Sequence, residues 1–460
     1  MRSLTFASLL ALAVVPFAAC DSRAVSNNND SGTAPSDGAP VADALVAPDS
    51  SPDAAPPAAC RLLPRGPATT ISDPAASAST PSIAHQGSRL AVTWLRSAPT
   101  GHPVVRMRLL DRDGAPQSSE TTVGPDSHAW AEIAAASGSG GSGGFGMCFH
   151  TDPQYQSRLA FRLINSGGQA QQWRELSPDY GTCYSLISLP DGGWALGARH
   201  VESVQSKATY RVDLLRLDHD GAVIDKPLAL STRSLSHGAS LTYHPSGAIY
   251  VAYTVGGDEG NSDSRVMVQR VSASSGAPLG EPVAATSGIH GVASAPAIVA
   301  VDKQLLLAYA EEREAPADAR ADRTVYVVRL DERGAPAGSA LPLTGEGVRG
   351  GYVALAAAGG GALLSFTEER ELDADSGTIN SLEVKVAHLD ASGQRRQDDI
   401  TIAQETAQYL TIGRPQLSYL PGVDAQDARV AVVWHQRPGK DINAQRAVHL
   451  RMLGCDATTK

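Results

Sequence analysis

The feature that most constrains this chain is a turn that keeps returning. Leu330-Asp331-Glu332-Arg333-Gly334-Ala335-Pro336 has relatives at Leu110-Asp111-Arg112-Asp113-Gly114-Ala115-Pro116, Leu217-Asp218-His219-Asp220-Gly221-Ala222, Val271-Ser272-Ala273-Ser274-Ser275-Gly276-Ala277-Pro278 and Leu389-Asp390-Ala391-Ser392-Gly393. Shorter copies stand at Leu163-Ile164-Asn165-Ser166-Gly167 and Leu453-Gly454. The anchors at 110, 163, 217, 271, 330, 389 and 453 are spaced by 53, 54, 54, 59, 59 and 64 residues. Self-similarity at such a period places most of 460 residues in a single repeat domain, although the length alone would allow several.

Between anchors the chain reads as short strands and Gly/Pro turns, without helical periodicity. A strand with two-residue alternation runs into each anchor, as in Thr324 to Leu330 or Arg265 to Val271, and another precedes it, as in Leu305 to Tyr309 or Ile249 to Tyr253. Short apolar stretches come before those, at 82–84, 132–135, 184–189, 240–243, 297–301, 352–356 and 416–419, and an outer strand follows the turn, as at Lys226 to Leu230 or Ser339 to Leu343. Four strands per repeat and seven repeats predict an all-β fold, a seven-bladed β-propeller of four-stranded antiparallel blades. The end of each second strand holds Trp94, Phe149, Arg199, Tyr253, Tyr309, Phe366 and Trp434, read as packing between neighbouring blades, with Arg199 solvated or paired at its seam. The last blade lacks an outer strand, and the segment from Cys60 to Ser72 is placed to supply it.

The N-terminus carries a different message. Met1-Arg2 and the apolar run from Leu4 to Phe17 form a signal-peptide pattern too short to span a bilayer. Phe17-Ala18-Ala19-Cys20 resembles the lipobox of bacterial lipoproteins, and Phe17 is too bulky for the small-x-small site of ordinary signal peptidase. The resemblance implies a leader over 1–19 and a lipidated Cys20. Asp21 resembles the inner-membrane retention signal of enteric bacteria, a rule specific to lineage, so inner and outer membrane both stay open. Residues 20–59 then form a Ser/Ala/Pro/Asp-rich tether with too little apolar surface to offset the entropy of ordering, expected to be disordered. Six aspartates against Arg23 put about half of the chain's net charge of -10 there. That acidity, with no basic stripe, excludes nucleic acid as the main partner.

Beyond Cys20 an even number of cysteines remains in an oxidising context, Cys60, Cys148, Cys183 and Cys455. Three pairings are open. Cys60 precedes the N-terminal strand and Cys455 follows the last anchor, so this pair would staple the ring. Cys148 ends one blade's second strand and Cys183 begins the next blade, so these are plausible neighbours. A buried thiol or a zinc site lacks the paired CxxC spacing. The region 60–456 resembles the secreted β-propeller superfamily and the envelope lipoproteins that carry such domains, through period and turn chemistry. Neither the WD-repeat nor the kelch signature is present, and the resemblance implies a fold, not an activity.

Antiparallel strands put the tight anchor turns at one end of every blade and the longer second-to-third-strand and blade-to-blade connections at the other, where binding usually lives. That end collects Glu311, Glu312, Glu368 and Glu369 in equivalent loops of adjacent blades, and His128, His237 and His290 in blade-to-blade connections; His102, His150, His200 and His435 map there too. The acidic loops are read as solvated and the histidines as scattered surface residues, against a cation site or a metal/His site at a channel mouth. Asp373-Ala374-Asp375-Ser376-Gly377 with Glu383 has the wrong register for a calcium loop. The sialidase Asp-box, GxSxG, HExxH, phosphate-loop and dinucleotide motifs are absent. No catalytic residue, metal or cofactor is assigned. The expectation is a monomeric envelope lipoprotein, anchored to a membrane through lipid and facing the periplasm or the cell surface. Its propeller is a binding platform for a protein or carbohydrate partner; the alternative is an extracellular polysaccharide lyase or hydrolase.

Overall fold

The computed structural model describes residues 60–456 apart from 74, 98–102, 127–130, 138–142, 152–157, 178, 205–206, 232–237, 257–263, 287–293, 313–322, 372–379, 408–412, 425 and 438–444. Among the described residues there are twenty-eight strands and no helix, so none is long and apolar enough to cross a membrane. The leader, the lipobox and the tether lie outside them.

The strands form seven antiparallel blades of four. Listed from the innermost strand outward, blade 1 is Ala78–Gln86, Arg89–Arg96, Val104–Leu110 and Thr121–Asp126. Blade 2 is Glu132–Ala135, Gly144–Thr151, Arg158–Asn165 and Arg174–Ser177. Blade 3 is Tyr180–Ser188, Trp194–Val204, Lys207–Leu217 and Leu228–Ala229, and blade 4 is Ala239–His244, Ala248–Val255, Arg265–Ser272 and Val283–Ala284. Blade 5 is Ser294–Val301, Gln304–Glu312, Arg323–Leu330 and Leu341–Pro342, and blade 6 is Val348–Ala358, Gly361–Glu371, Asn380–Asp390 and Ile400–Ala407. One parallel bridge, Arg323 to Arg349, joins the third strand of blade 5 to the innermost strand of blade 6. Blade 7 takes Gly413–Leu420, Arg429–Gln436 and Ala447–Cys455 from the C-terminal side and its outer strand, Leu62–Thr70, from the N-terminal side. The seven innermost strands touch one another in a closed cycle, which makes the domain a β-propeller.

Successive strand residues point to opposite faces, and in a blade both faces are buried against neighbours. The second strand of blade 7 shows the result: Val430, Val432 and Trp434 enter a cluster with blade 6, while Ala431 and Val433 enter one with blade 1. The hydrophobic core is thus a set of seven clusters, one at each seam. Trp94, Phe149, Tyr253, Tyr309, Phe366 and Trp434 are all buried there.

Blade 3 departs from the expected register. Ser82, Ser185 and Ser240 are equivalent on the innermost strands and lie opposite Thr93, Gly197 and Ala252, so the residue matching Trp94 and Tyr253 is Ala198, not Arg199. Register shifts at Tyr180/Thr182 and Cys183/Ser185 displace the pattern. Cys183 faces Ala198 and forms the disulfide with Cys148, which fills the seam together with Phe161 and Trp194. The disulfide occupies room that an aromatic ring takes elsewhere. Arg199 stands with its guanidinium 4.9 Å from the centre of the Tyr210 ring.

The second disulfide, Cys60 to Cys455, closes the ring at the end of blade 7. Leu453 and Gly454 continue the strand, paired with Pro64 and Leu63, and make no turn. The side-chain amide of Gln397 in blade 6 accepts from Leu62 N (2.9 Å) and donates to Leu62 O (3.2 Å), holding the closing strand from the other side.

Candidate functional site

The two ends of the blades differ in how their polar groups are used. At the anchor-turn end, Asp331 Oδ1 accepts from the backbone N–H of Arg333 (2.8 Å) and Ala335 (2.9 Å), and Asp111, Asn165, Asp218 and Asp390 do the same in their turns. Each carboxylate or amide is consumed locally.

At the opposite end, innermost strands begin and second strands finish. Glu311 and Glu312 end the second strand of blade 5, and Glu368 and Glu369 lie near the end of that of blade 6. Arg349 bridges the blades, 3.9 Å from Glu312 and 3.9 Å from Glu369, and Arg323 meets Glu312 at 3.3 Å. Glu368 is only 4% exposed and is held by Lys385 and Arg370. Burial alone would lower the Lys385 ammonium, but its hydrogen bonds to Glu368 and Glu383 outweigh this and hold it above the usual lysine range. Glu368 is therefore a strut inside blade 6, unavailable for direct contact. Glu383, out of register for a calcium loop, pairs with Lys385 at 3.1 Å.

His128, His237 and His290 lie outside the described residues, as do His102 and residues 373–379. His150 and His435 are the next-to-last residues of second strands at this end, and His200 lies four residues before the end of its own. His435 is buried, and its Nδ1 accepts from Thr80 N at 3.3 Å, so the ring is neutral. Burial, with Arg446 nearby, lowers its pKa to about 4. Among the described residues no group of three or more His, Cys, Asp or Glu is placed to hold a metal ion.

Sequence reasoning missed a polar chain at the channel mouth. Glu132 opens the innermost strand of blade 2, and its Oε1 accepts from Arg414 of blade 7 at 2.8 Å, spanning the intervening blade 1. Its Oε2 accepts from Ser82 Oγ at 3.0 Å, and Ser82 Oγ accepts in turn from Ile133 N at 3.3 Å. Burial pushes the Glu132 carboxyl above the ordinary carboxylate range, with Arg414 and Ser82 opposing. Ser185 and Ser240 staple blades in the same way, accepting from Leu241 N and Ile298 N. Glu132 and Arg414 are 282 residues apart and belong to no local motif. The available signal was a carboxylate at an inward-facing position of an innermost strand.

No family model and no curated protein matches the chain. Among solved structures it is similar to a protein of unknown function from Dyadobacter fermentans, at TM-score 0.51 and 10% identity, covering 86% of this chain and 99% of that one. It is also similar to the β-propeller domain of the Trilobed protease from Pyrococcus furiosus (TM-score 0.46, 11% identity, 82% and 95% covered). A third similar structure is the polysaccharide lyase Uly1 (TM-score 0.45, 10% identity, 82% and 90% covered). At such identities the likeness concerns the fold alone.

Proposed function

We propose that this chain is a bacterial envelope lipoprotein, lipidated at Cys20, whose propeller is a non-enzymatic binding platform facing its partner with the end opposite the anchor turns. The observation that carries the reading is the asymmetry just described. In five blades one end repeats a single self-satisfied turn, while the other holds Glu312 and Glu132 in ion pairs with Arg349 and Arg414 that cross from blade to blade. Rigid polar surface suits recognition, because little side-chain entropy remains to be lost on docking. A lipid anchor and the long Ser/Ala/Pro/Asp-rich segment over 20–59 suit a module that reaches a partner near the membrane.

Two measurements test it. Cys20→Ser should move the protein from the membrane to the aqueous fraction of a bacterial host, and unchanged membrane association removes the anchor. A photo-crosslinking amino acid at position 311 should trap a partner in intact cells, whereas one at position 333, in an anchor turn, should not; equal trapping at both ends removes the platform.

The Glu132–Arg414 pair at the channel mouth supports a second reading, a hydrolase or lyase acting on an extracellular polymer, with Arg414 held by Glu132 to counter charge developing on the substrate. Turnover of a polysaccharide that is lost in Glu132→Gln would establish it.

A further inference from the structure

At the same channel mouth, three non-glycine residues adopt left-handed backbone: Tyr352 (φ +47°), Arg414 (φ +33°) and Thr80 (φ +48°). They occupy the same position in the innermost strands of three consecutive blades, 6, 7 and 1. In each the register then shifts, between Gly351 and Ala354, Gly413 and Gln416, and Ser79 and Ser82. Bulky residues in this region are strained, and bulges of this kind re-aim side chains next to binding sites. Strain kept at one position in three neighbouring blades calls for a use of what it aims.

Two of the three carry recognisable chemistry. Arg414 is carried over blade 1 to Glu132, whose other oxygen holds Ser82, so guanidinium, carboxylate and hydroxyl are fixed relative to one another. Tyr352 stands 55% exposed, the opposite of the buried aromatics at the seams. An exposed aromatic ring on one innermost strand, with a preorganised guanidinium–carboxylate pair starting at the equivalent position of the next, is the chemistry that recognises a pyranose ring: its C–H face lies on the arene while its hydroxyls meet the polar groups. The Arg414 guanidinium is already met by Glu132 at 2.8 Å, and the cations at this end of blades 5 and 6 are matched by Glu312, Glu368 and Glu369, so no excess of positive charge favours an anionic sugar.

We propose that the channel mouth over blades 6, 7, 1 and 2 is a binding subsite for a neutral glycan, with Tyr352 as stacking platform and the Arg414–Glu132 pair, held from beneath by the buried Ser82, as its orienting polar side. The inference rests on the long-loop end being the binding face. The test is calorimetric titration of the full chain in detergent with cellohexaose, maltohexaose, laminarihexaose and chitohexaose, and with hexagalacturonate as the anionic probe. At least one neutral hexasaccharide should bind. Tyr352→Gly should weaken it at least tenfold without lowering the thermal midpoint, because glycine accepts the left-handed backbone. Tyr352→Trp should keep affinity within about threefold, since a larger ring still offers a stacking face. Binding of no neutral probe, preference for hexagalacturonate, or full affinity in Tyr352→Gly overturns the proposal. Should position 311 still trap its partner while no glycan binds, the glycan inference alone falls. Should a glycan bind through Tyr352 and be cleaved, the subsite stands and the non-enzymatic platform falls.

Discussion

Gly334 shows how much of the repeat is decided by single residues. Its φ of +86° is one that side chains resist, and a Cβ there would sit 2.7 Å from Val268 Cγ1 of the preceding blade. Gly114, Gly168 and Gly221 press in the same way on Leu450, Leu109 and Phe161, each in the blade before. The glycine of the recurring turn is therefore required twice, for its conformation and for close approach across a seam. Gly247 has nearly the same φ (+83°) with nothing within 4 Å of its missing Cβ. Gly247→Ala should lower the free energy of unfolding by about 1–2 kcal/mol, and Gly334→Ala by a further 1–3 kcal/mol, roughly, for overpacking, both read from urea midpoints. Equal losses would mean that the seam yields. Buried histidines make a second prediction at this scale. Burial lowers His388 and His435 to about 4, well below the ordinary 6.5 of the unfolded chain. Above that value both states are neutral and nothing changes. Below it the unfolded chain takes up protons that the folded one refuses, so stability should fall from pH 6.5 toward 4, by about 1.4 kcal/mol per pH unit for each ring. His435→Gln should flatten the slope between pH 6.5 and 5; an unchanged slope would clear this residue.

The strands were legible in the sequence where both of their faces meet neighbours. Val430 to Trp434 is apolar at every position because one alternation serves blade 6 and the other blade 1. Anchor turns were legible because an Asx side chain and a left-handed glycine at fixed spacing have few other uses. Arg199 was aligned with the seam aromatics because counting residues cannot see a bulge, and two shifts precede it in the pairing of blade 3. Outer strands were expected to be longer than they are: Leu228–Ala229 and Leu341–Pro342 are short bridges on an edge where few side chains are buried. The candidate site was legible only in part. Glu311, Glu312 and Glu369 fall at the expected end, yet Glu368 is interior because Lys385 across the strand pair compensates its charge, which no single strand reveals. Glu132 and Arg414 meet only when the ring has closed.

At the scale of the whole molecule, closure decides stability. Each blade is held by two seams and none is terminal, so no capping repeat is needed, in contrast to open solenoids. What the ring needs instead is its two ends joined. The Cys60–Cys455 bridge closes a loop with a sequence separation of 395, and replacing both cysteines with alanine should cost about 3–5 kcal/mol by the chain-entropy estimate. The measurement is the thermal midpoint under non-reducing conditions, and a midpoint unchanged from the parent protein would show that the strand pairing and the Gln397 clamp suffice alone. The position of that bridge has a mechanical meaning. Leu62–Thr70 runs antiparallel to Ala447–Cys455, so a pull on the chain just before Cys60 would otherwise peel the strand away one hydrogen bond at a time, starting with the Leu62–Cys455 pair. With the bridge at the very end where peeling would start, the load passes through a covalent bond into both strands of the blade, and the zipper has no free tab to grip.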